Sequence, residues 1–362
     1  MSIHFHKLQV KEVRRETADC VSVVFNISED IRAPFIFREG QSLTMRTTIN
    51  GEEVRRTYSI CSSPLDNELR VAIKRVDGGL FSSFANESLK AGDILEVMQP
   101  VGKFYVDLDP LNEHHYLGFA AGSGITPLLS IIKTTLRSEP KSSFTLVYGN
   151  KSRSSIIFFE ELEGLKNKYV QRFNLIHILS RERTDTQLNS GRIDHEKLGE
   201  LSRILPYSSF NEIFICGPEK MLFAVKNFLE KTGISKKKIH FELFTTPGTK
   251  TPSRTIIAHS GENEKLSPKS RVTVKVDGRM FDFDLPLTGN TTILDAALSQ
   301  GADLPFACKG GVCCTCKARL LEGEVRMDVH WGLEDEEIEQ GYILTCQSHP
   351  VSEKVTVDFD VK

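Results

Sequence analysis

The stretch C-K-G-G-V-C-C-T-C, residues 308–316, packs four cysteines into nine positions, and Cys346 follows thirty residues after Cys316. No other feature of the 362-residue chain restricts its fold as strongly. Thiols gathered this tightly serve a zinc site, a redox dithiol, a disulfide framework or an iron–sulfur cluster, and each needs a different scaffold. Zinc sites usually pair two C-x2-C units, or one with a His pair, and this chain has a single C-x2-C beside an x4 spacing. A redox dithiol opens a helix inside a βαβ unit. Here the cysteines come after a D-G hairpin signal (V-T-V-K-V-D-G-R-M-F-D-F-D-L) and a Thr-capped helix signal (T-T-I-L-D-A-A-L-S-Q-G). Disulfide frameworks belong to oxidising compartments. The N-terminal M-S-I-H-F-H-K-L-Q-V has no apolar core of a signal peptide, and no apolar run approaches the roughly 18 residues that span a bilayer. The expected location is therefore the cytoplasm, with no membrane partner. A net charge of −2 provides no basic field for nucleic acid.

Cys308, Cys313 and Cys316 are spaced C-x4-C-x2-C, with Cys346 remote. That is the plant-type [2Fe–2S] arrangement, in which one tight loop and one distant strand converge four thiolates on a dimetal cluster. Gly310 and Gly311 let the loop backbone curl so that amide N–H groups face sulfur. Cys314 is surplus, and its small side chain is expected to turn away from the metal.

The rest of the chain divides by rhythm. Residues 1–108 read as short β-branched strands separated by N-G, D-N and G-G turns, which predicts a small antiparallel β-barrel with one helix near F-S-S-F-A-N-E-S-L. Residues 109–245 alternate buried strands and helices, the pattern of βαβ units on a parallel sheet. Residues 246–269, rich in Pro, Gly, Ser, Thr and Lys, read as a linker, and 270–362 as a β-grasp-like unit around the cysteine loop. The expected fold class is thus multidomain: barrel, α/β nucleotide domain and [2Fe–2S] ferredoxin domain.

R-T-Y-S at 56–59, followed by G-G-L-F-S-S at 78–83, resembles the flavin-binding signature of the ferredoxin–NADP reductase superfamily. The resemblance implies FAD held by Arg56, Thr57, Tyr58 and Ser59. Arg56 would face the pyrophosphate, Tyr58 the ring or ribityl chain, and Ser59 the flavin N5. Gly78, Gly79, Ser82 and Ser83 would present N–H and hydroxyl donors at a helix N-terminus, and Lys74 or Arg75 would approach the diphosphate. G-S-G-I-T-P at 122–127 follows a buried strand and opens a helix, so Gly122, Gly124, Thr126 and Pro127 are candidates for cradling a second pyrophosphate. C-G-P, Cys216, Gly217 and Pro218, matches the other half of the same signature, and in that superfamily the cysteine lies beside the nicotinamide ring. Glu242 and Phe244 fit its closing Glu-x-aromatic, where the acid supports proton or hydride transfer and the aromatic covers the flavin. Ser59, Cys216 and Glu242 are the catalytic candidates. Ser180 and Arg181, with Arg153, suit a 2′-phosphate, which favours NADPH over NADH, although Glu182 is adjacent.

Barrel, nucleotide domain and ferredoxin in this order resemble the reductase components of multicomponent oxygenases, over essentially the full chain. R-R-T-Y-S-I-C-S-S-P, A-A-G-S-G-I-T-P, the doubled cysteine at 313–314 and Y-I-L-T-C-Q-S-H-P are most similar to the reductases of the phenylacetyl-CoA epoxidases. The resemblance implies electrons passing from NADPH through FAD and the [2Fe–2S] cluster to a diiron oxygenase component. Reductases of other hydroxylases and of acyl-CoA desaturases share the layout, and a stand-alone flavin reductase is a further alternative.

Overall fold

The computed structural model describes residues 4–244, 268–306 and 308–361. These form two compact units, Phe5–Phe244 and a C-terminal one within 268–361. Residues 246–267 of the expected linker lie outside the described residues, and its last residue, Lys269, already pairs with Pro286 in a sheet.

The first unit begins with six antiparallel strands: β1 (Phe5–Thr17), β2 (Cys20–Asn26), β3 (Ser42–Ile49), β4 (Glu52–Ser59), β5 (Leu69–Lys74) and β6 (Ile94–Met98). Their order is β4-β3-β6-β1-β2-β5. The two outer strands meet through a bridge between Ile60 and Val71, so the sheet curls into the expected barrel. Its interior holds Leu8, Val23, Leu43, Met45, Ile73, Phe81 and Val97, all essentially inaccessible. Each such side chain contributes about 1.5–3 kcal/mol by leaving water. Helix α1 (Leu80–Glu87) lies against β4 and β5.

The nucleotide half is a parallel sheet of β7 (His115–Ala121), β8 (Ser143–Asn150), β9 (Phe173–Leu179), β10 (Glu212–Gly217) and β11 (Ile239–Leu243). Helices α2 (Ile125–Ser138), α3 (Phe159–Lys168), α4 (His195–Leu201) and α5 (Glu219–Lys231) make the crossovers. β7 and β10 are buried along nearly their whole length, which is why they read as continuous apolar runs. The strand order β11-β10-β7-β8-β9 reverses between β7 and β10. A crevice opens at such a switch point, beyond the carboxyl ends of the two strands. G-S-G follows β7 there and C-G-P ends β10, so the order of the strands brings the two motifs to one place.

In the C-terminal unit β12 (Lys269–Val276), β13 (Arg279–Pro286), β14 (Lys317–Glu322), β16 (Tyr342–Leu344) and β18 (Lys354–Asp358) form a mixed sheet in the order β13-β12-β18-β14-β16. β15 (Val325–Met327) pairs separately with β17 (Ser348–Pro350). Helix α6 (Ile293–Ser299) starts at Thr292, whose hydroxyl accepts from Asp295 N, and buries Ile293, Leu294 and Ala297 against the sheet. A short helix, α7 (Asp335–Glu339), precedes β16.

Candidate functional site

Strand alternation sorts the R-T-Y-S residues onto two faces. Tyr58 packs on Phe81 of α1, ring centroids 5.6 Å apart, and burial raises its phenol pKa so that it stays protonated. Arg56 shares that face and donates to the Arg55 carbonyl at 2.6 Å. On the other face the Thr57 hydroxyl meets that of Thr44 at 2.9 Å, and Ser59 Oγ donates to Glu242 Oε2 at 3.0 Å. Ser59 and Glu242 are 183 positions apart, and only the docking of β11 toward the barrel joins them.

Glu242 lies beside Cys216 in the parallel register of β10 and β11. Desolvation by the protein around it pushes the Glu242 carboxyl up to about 7, and the bond from Ser59 offsets only part of that. Burial, and then the Glu242 charge, push the Cys216 thiol well above its ordinary range, so it remains a neutral, compact wall of the crevice. Folding therefore favours protonated Glu242. That advantage is complete below pH 4.5 and is lost as pH rises through about 7. Glu242→Gln is accordingly expected to match the parent in thermal stability below pH 4.5 and to exceed it by a few degrees above pH 7, as melting curves across pH would register.

Two glycines shape the crevice. A Cβ on Gly124 would stand 2.1 Å from the Cys216 carbonyl oxygen, so the G-S-G turn and C-G-P are in backbone contact. Gly217 takes φ +155°, and a Cβ there would meet Met221 Cε at 2.8 Å. Gly122, at φ +54°, has its carbonyl held by Tyr148 OH at 2.9 Å, and Lys74 Nζ of the barrel lies 3.9 Å from where its Cβ would be. Lys74 also pairs with Asp19 at 3.6 Å. Pro127 is buried in the first turn of α2, and exposed Pro218 immediately precedes α5. Phe244, half-buried, packs on the nucleotide-domain core.

Two hydroxyls expected to face phosphate are instead turned into their own loops. Thr126 Oγ1 donates to Ser123 O at 3.0 Å. Ser82 Oγ donates to Gly79 O at 3.2 Å and accepts from Val76 N at 3.1 Å. Both hydroxyls hold the shape of a turn at a helix start, where backbone N–H groups suit an anion. Ser83 N donates to Gly79 O, closing the first turn of α1. The sequence reading passed over Tyr148 and Asp19, which brace Gly122 and Lys74. A tyrosine inside a buried strand gives no sign that its hydroxyl reaches a loop.

At the outer end of the crevice, Ser180 N and Arg181 N donate to Asn150 O and Lys151 O, extending the β8–β9 ladder into the loop. Glu182 accepts from Arg153 N at 2.7 Å, so this acid is committed to the backbone. The Arg153 guanidinium lies over the Phe159 ring, 4.6 Å from its centroid, and Arg153 and Arg181 are both exposed.

The cysteine loop is built independently. The ionisation of Cys308 is tied to that of Cys313, and that of Cys346 to that of Cys316, and charge on one pair is felt by the other. The Cys313 thiol, helped by backbone N–H groups of Cys313, Gly310 and Val312, brings Cys308 down to about 5. Contact with Cys316 likewise lowers Cys346. Gly310 N lies 3.2 Å from Cys308 Sγ, and Thr315 Oγ1 donates to Cys313 Sγ at 3.2 Å. Gly311, φ +74°, has no room for a Cβ, which would stand 2.8 Å from Val329 O. Thiols coupled in two pairs, with amides aimed at sulfur, have the donor chemistry of a [2Fe–2S] cluster. Cys314, at φ +53°, sends its Sγ to Gly332 O at 2.6 Å.

Residues 7–105 match the oxidoreductase FAD-binding domain family, 119–227 the oxidoreductase NAD-binding domain family, and 274–351 the 2Fe-2S iron-sulfur cluster binding domain family. The chain is 45% identical to a subunit of 1,2-phenylacetyl-CoA epoxidase from Escherichia coli (strain K12), over 99% of this chain and 98% of that protein. It is 34% identical to the ferredoxin reductase component of 3-ketosteroid-9-alpha-monooxygenase from Rhodococcus rhodochrous, over 97% and 96% of the two chains. Among solved structures it has the fold of phthalate dioxygenase reductase, with a TM-score of 0.60 at 23% identity over 98% of each chain. With FAD-, NAD- and 2Fe-2S-binding domains in one polypeptide, the chain belongs to the family of oxygenase reductase components, in which the phenylacetyl-CoA epoxidase and ketosteroid monooxygenase proteins also fall.

Proposed function

We propose that this chain takes electrons from NADPH and delivers them singly to the diiron oxygenase component of a phenylacetyl-CoA epoxidase. The observation that carries the reading is 45% identity along nearly the whole of both chains, against 34% to a steroid monooxygenase reductase. Bound FAD supplies the exchange between a two-electron hydride and single electrons, and a bound [2Fe–2S] cluster takes those electrons one at a time.

The chain's own residues do the positioning. Backbone N–H groups of the Gly122–Thr126 turn, with Lys74 beside it, hold nicotinamide pyrophosphate. Arg56, Thr57 and Tyr58 on β4, with Gly79 and Ser83 at the head of α1, hold FAD. Cys216, Gly217 and Pro218 line the floor beneath the nicotinamide, Phe244 closes the flavin side, and Ser59 and Glu242 face the reacting atoms. A carboxyl near 7, hydrogen-bonded to a serine, can accept or release a proton at neutral pH. Cys308, Cys313, Cys316 and Cys346 ligate the cluster. Eight cysteines suit a reducing cytoplasm, and among the described residues no helix is long and apolar enough to cross a membrane.

The test is reconstitution. Purified chain, the epoxidase oxygenase component, NADPH and phenylacetyl-CoA are expected to give epoxide in proportion to NADPH oxidised. NADPH oxidation with no oxygenase turnover would overturn the partner. For the nucleotide, Ser180, Arg153 and Arg181 surround the expected 2′-phosphate. The double change Arg153→Ala/Arg181→Ala is expected to raise KM for NADPH on the order of 10-fold or more, the loss of charge-assisted bonds to phosphate, while KM for NADH moves little. Steady-state kinetics with both nucleotides measure the difference.

A further inference from the structure

The nicotinamide turn and the flavin strand belong to different sheets, and a dry polar seam joins them. Directly after Ser59 the chain runs along α2. Ser130 Oγ of α2 donates to Ser62 O at 2.6 Å. Thr134 Oγ1 donates to Ser130 O at 2.7 Å. A hydroxyl has a single proton, so Thr134 must accept from Ser63 Oγ, 2.8 Å away. Ser62 Oγ in turn accepts from Arg70 N at 3.1 Å, and Ser63 Oγ from Leu65 N at 3.2 Å. Ser62, Ser63 and Ser130 are wholly inaccessible and Thr134 nearly so. An ionic chain runs alongside: Lys133 reaches Asp66 at 2.6 Å and Glu161 at 2.7 Å, and Glu161 accepts from Arg70 at 2.7 Å.

Apolar contact is non-directional and lets a helix slide. Buried hydroxyl bonds have fixed lengths and angles, and leaving them unmet is costly. A shift of α2 by about 1 Å would therefore break the seam at several points together. Ser62 is three residues from Ser59, and Ser130 is five from Ile125, where α2 begins behind the G-S-G turn. The seam thus couples the register of α2 to that of the flavin strand.

We propose that this hydroxyl seam sets the working distance between the nicotinamide turn and the Ser59–Glu242 face, with Ser130 and Thr134 as positioning residues. The inference rests on the site reading given above. The test is rapid-mixing reduction of the FAD-loaded protein by NADPH, with Ser130→Ala, Thr134→Val and Thr134→Ser. The first two are expected to cut the limiting rate of flavin reduction roughly 10-fold or more, since small misplacements of reacting groups are amplified in rate. The half-saturating NADPH concentration and the flavin content are expected to stay as in the parent, while the long-wavelength nicotinamide–flavin absorbance weakens. Thr134→Ser, which keeps the hydroxyl, is expected to retain the parent rate. Unchanged limiting rates accompanied only by a lower Tm would overturn the proposal. If Ser130→Ala does not fold, the contrast between Thr134→Val and Thr134→Ser decides alone. Ser59→Ala and Cys216→Ala serve as controls. Slow reduction in these with normal rates in the seam variants overturns the seam only, whereas normal rates in the controls overturn the site reading and the seam with it.

Discussion

Cys313→Ser is expected to yield protein without the visible [2Fe–2S] absorbance and with no cluster-dependent reduction of an acceptor protein, while the neighbouring Cys314→Ser keeps both. The two sulfurs are adjacent in sequence, and the ligand set proposed above includes only the first of them. Cys313 ionises in step with Cys308, and its Sγ accepts from Thr315 Oγ1 at 3.2 Å. Cys314 sits at φ +53°, which sends its Sγ to the Gly332 carbonyl. A serine at 314 can donate to the same carbonyl, and the positive φ is already accommodated. A serine at 313 removes one of four thiolates from a cluster that requires all of them. Reduction of FAD by NADPH should survive in both variants, because the barrel and the nucleotide sheet form a unit of their own. Iron and sulfide content together with the visible spectrum measure the first effect, and a fully loaded Cys313→Ser protein would sink the ligand assignment.

Gly124→Ala is expected to slow flavin reduction by NADPH on the order of 100-fold while leaving bound FAD in place. Its new methyl would stand 2.1 Å from the Cys216 carbonyl oxygen and 2.5 Å from the carbonyl carbon. These are backbone atoms, so no side chain can swing aside. The G-S-G turn and C-G-P must separate, widening the crevice between them, the place proposed above for the nicotinamide. Gly164, with nothing near its Cβ direction and a place in helix α3, is the control: Gly164→Ala should leave the rate unchanged. Stopped-flow traces of the two variants, each with its flavin content measured, give the comparison.

How much of this was legible in the sequence follows from how local each signal is. The cysteine spacing is confined to one loop and one remote residue, and the 2Fe-2S cluster binding family matches the segment that holds them. R-T-Y-S, G-S-G-I-T-P, C-G-P and F-E-L-F were each readable, but not that Ser59 and Glu242 share a hydrogen bond, since that contact needs both sheets folded and docked. The hydroxyls of Ser82 and Thr126 were assigned to phosphate because small polar residues at a helix start suit it. In the structure they hydrogen-bond within their own turns. The seam escaped for a different reason. In I-T-P-L-L-S-I-I-K-T-T-L, Ser130 and Thr134 are spaced i, i+4 on the face that also carries Thr126 and Lys133, a pattern easily read as helix surface. Only the burial of Ser130 and Thr134 marks the seam, and that burial comes from packing that the local sequence does not show.

The crevice has walls of unequal stiffness. β4 is paired with β3 over all eight of its residues, and just beyond its end the Ile60–Val71 bridge reaches β5. β11 is the outermost strand of its sheet, paired only with β10 over five residues. Amide protons of Ile239–Leu243 should therefore exchange with solvent sooner than those of β4, since a strand held by the shorter ladder opens at lower free energy. Breathing of the Glu242 carboxyl against Ser59 then becomes the softest motion across their hydrogen bond, and deuterium uptake along β11 is its direct readout.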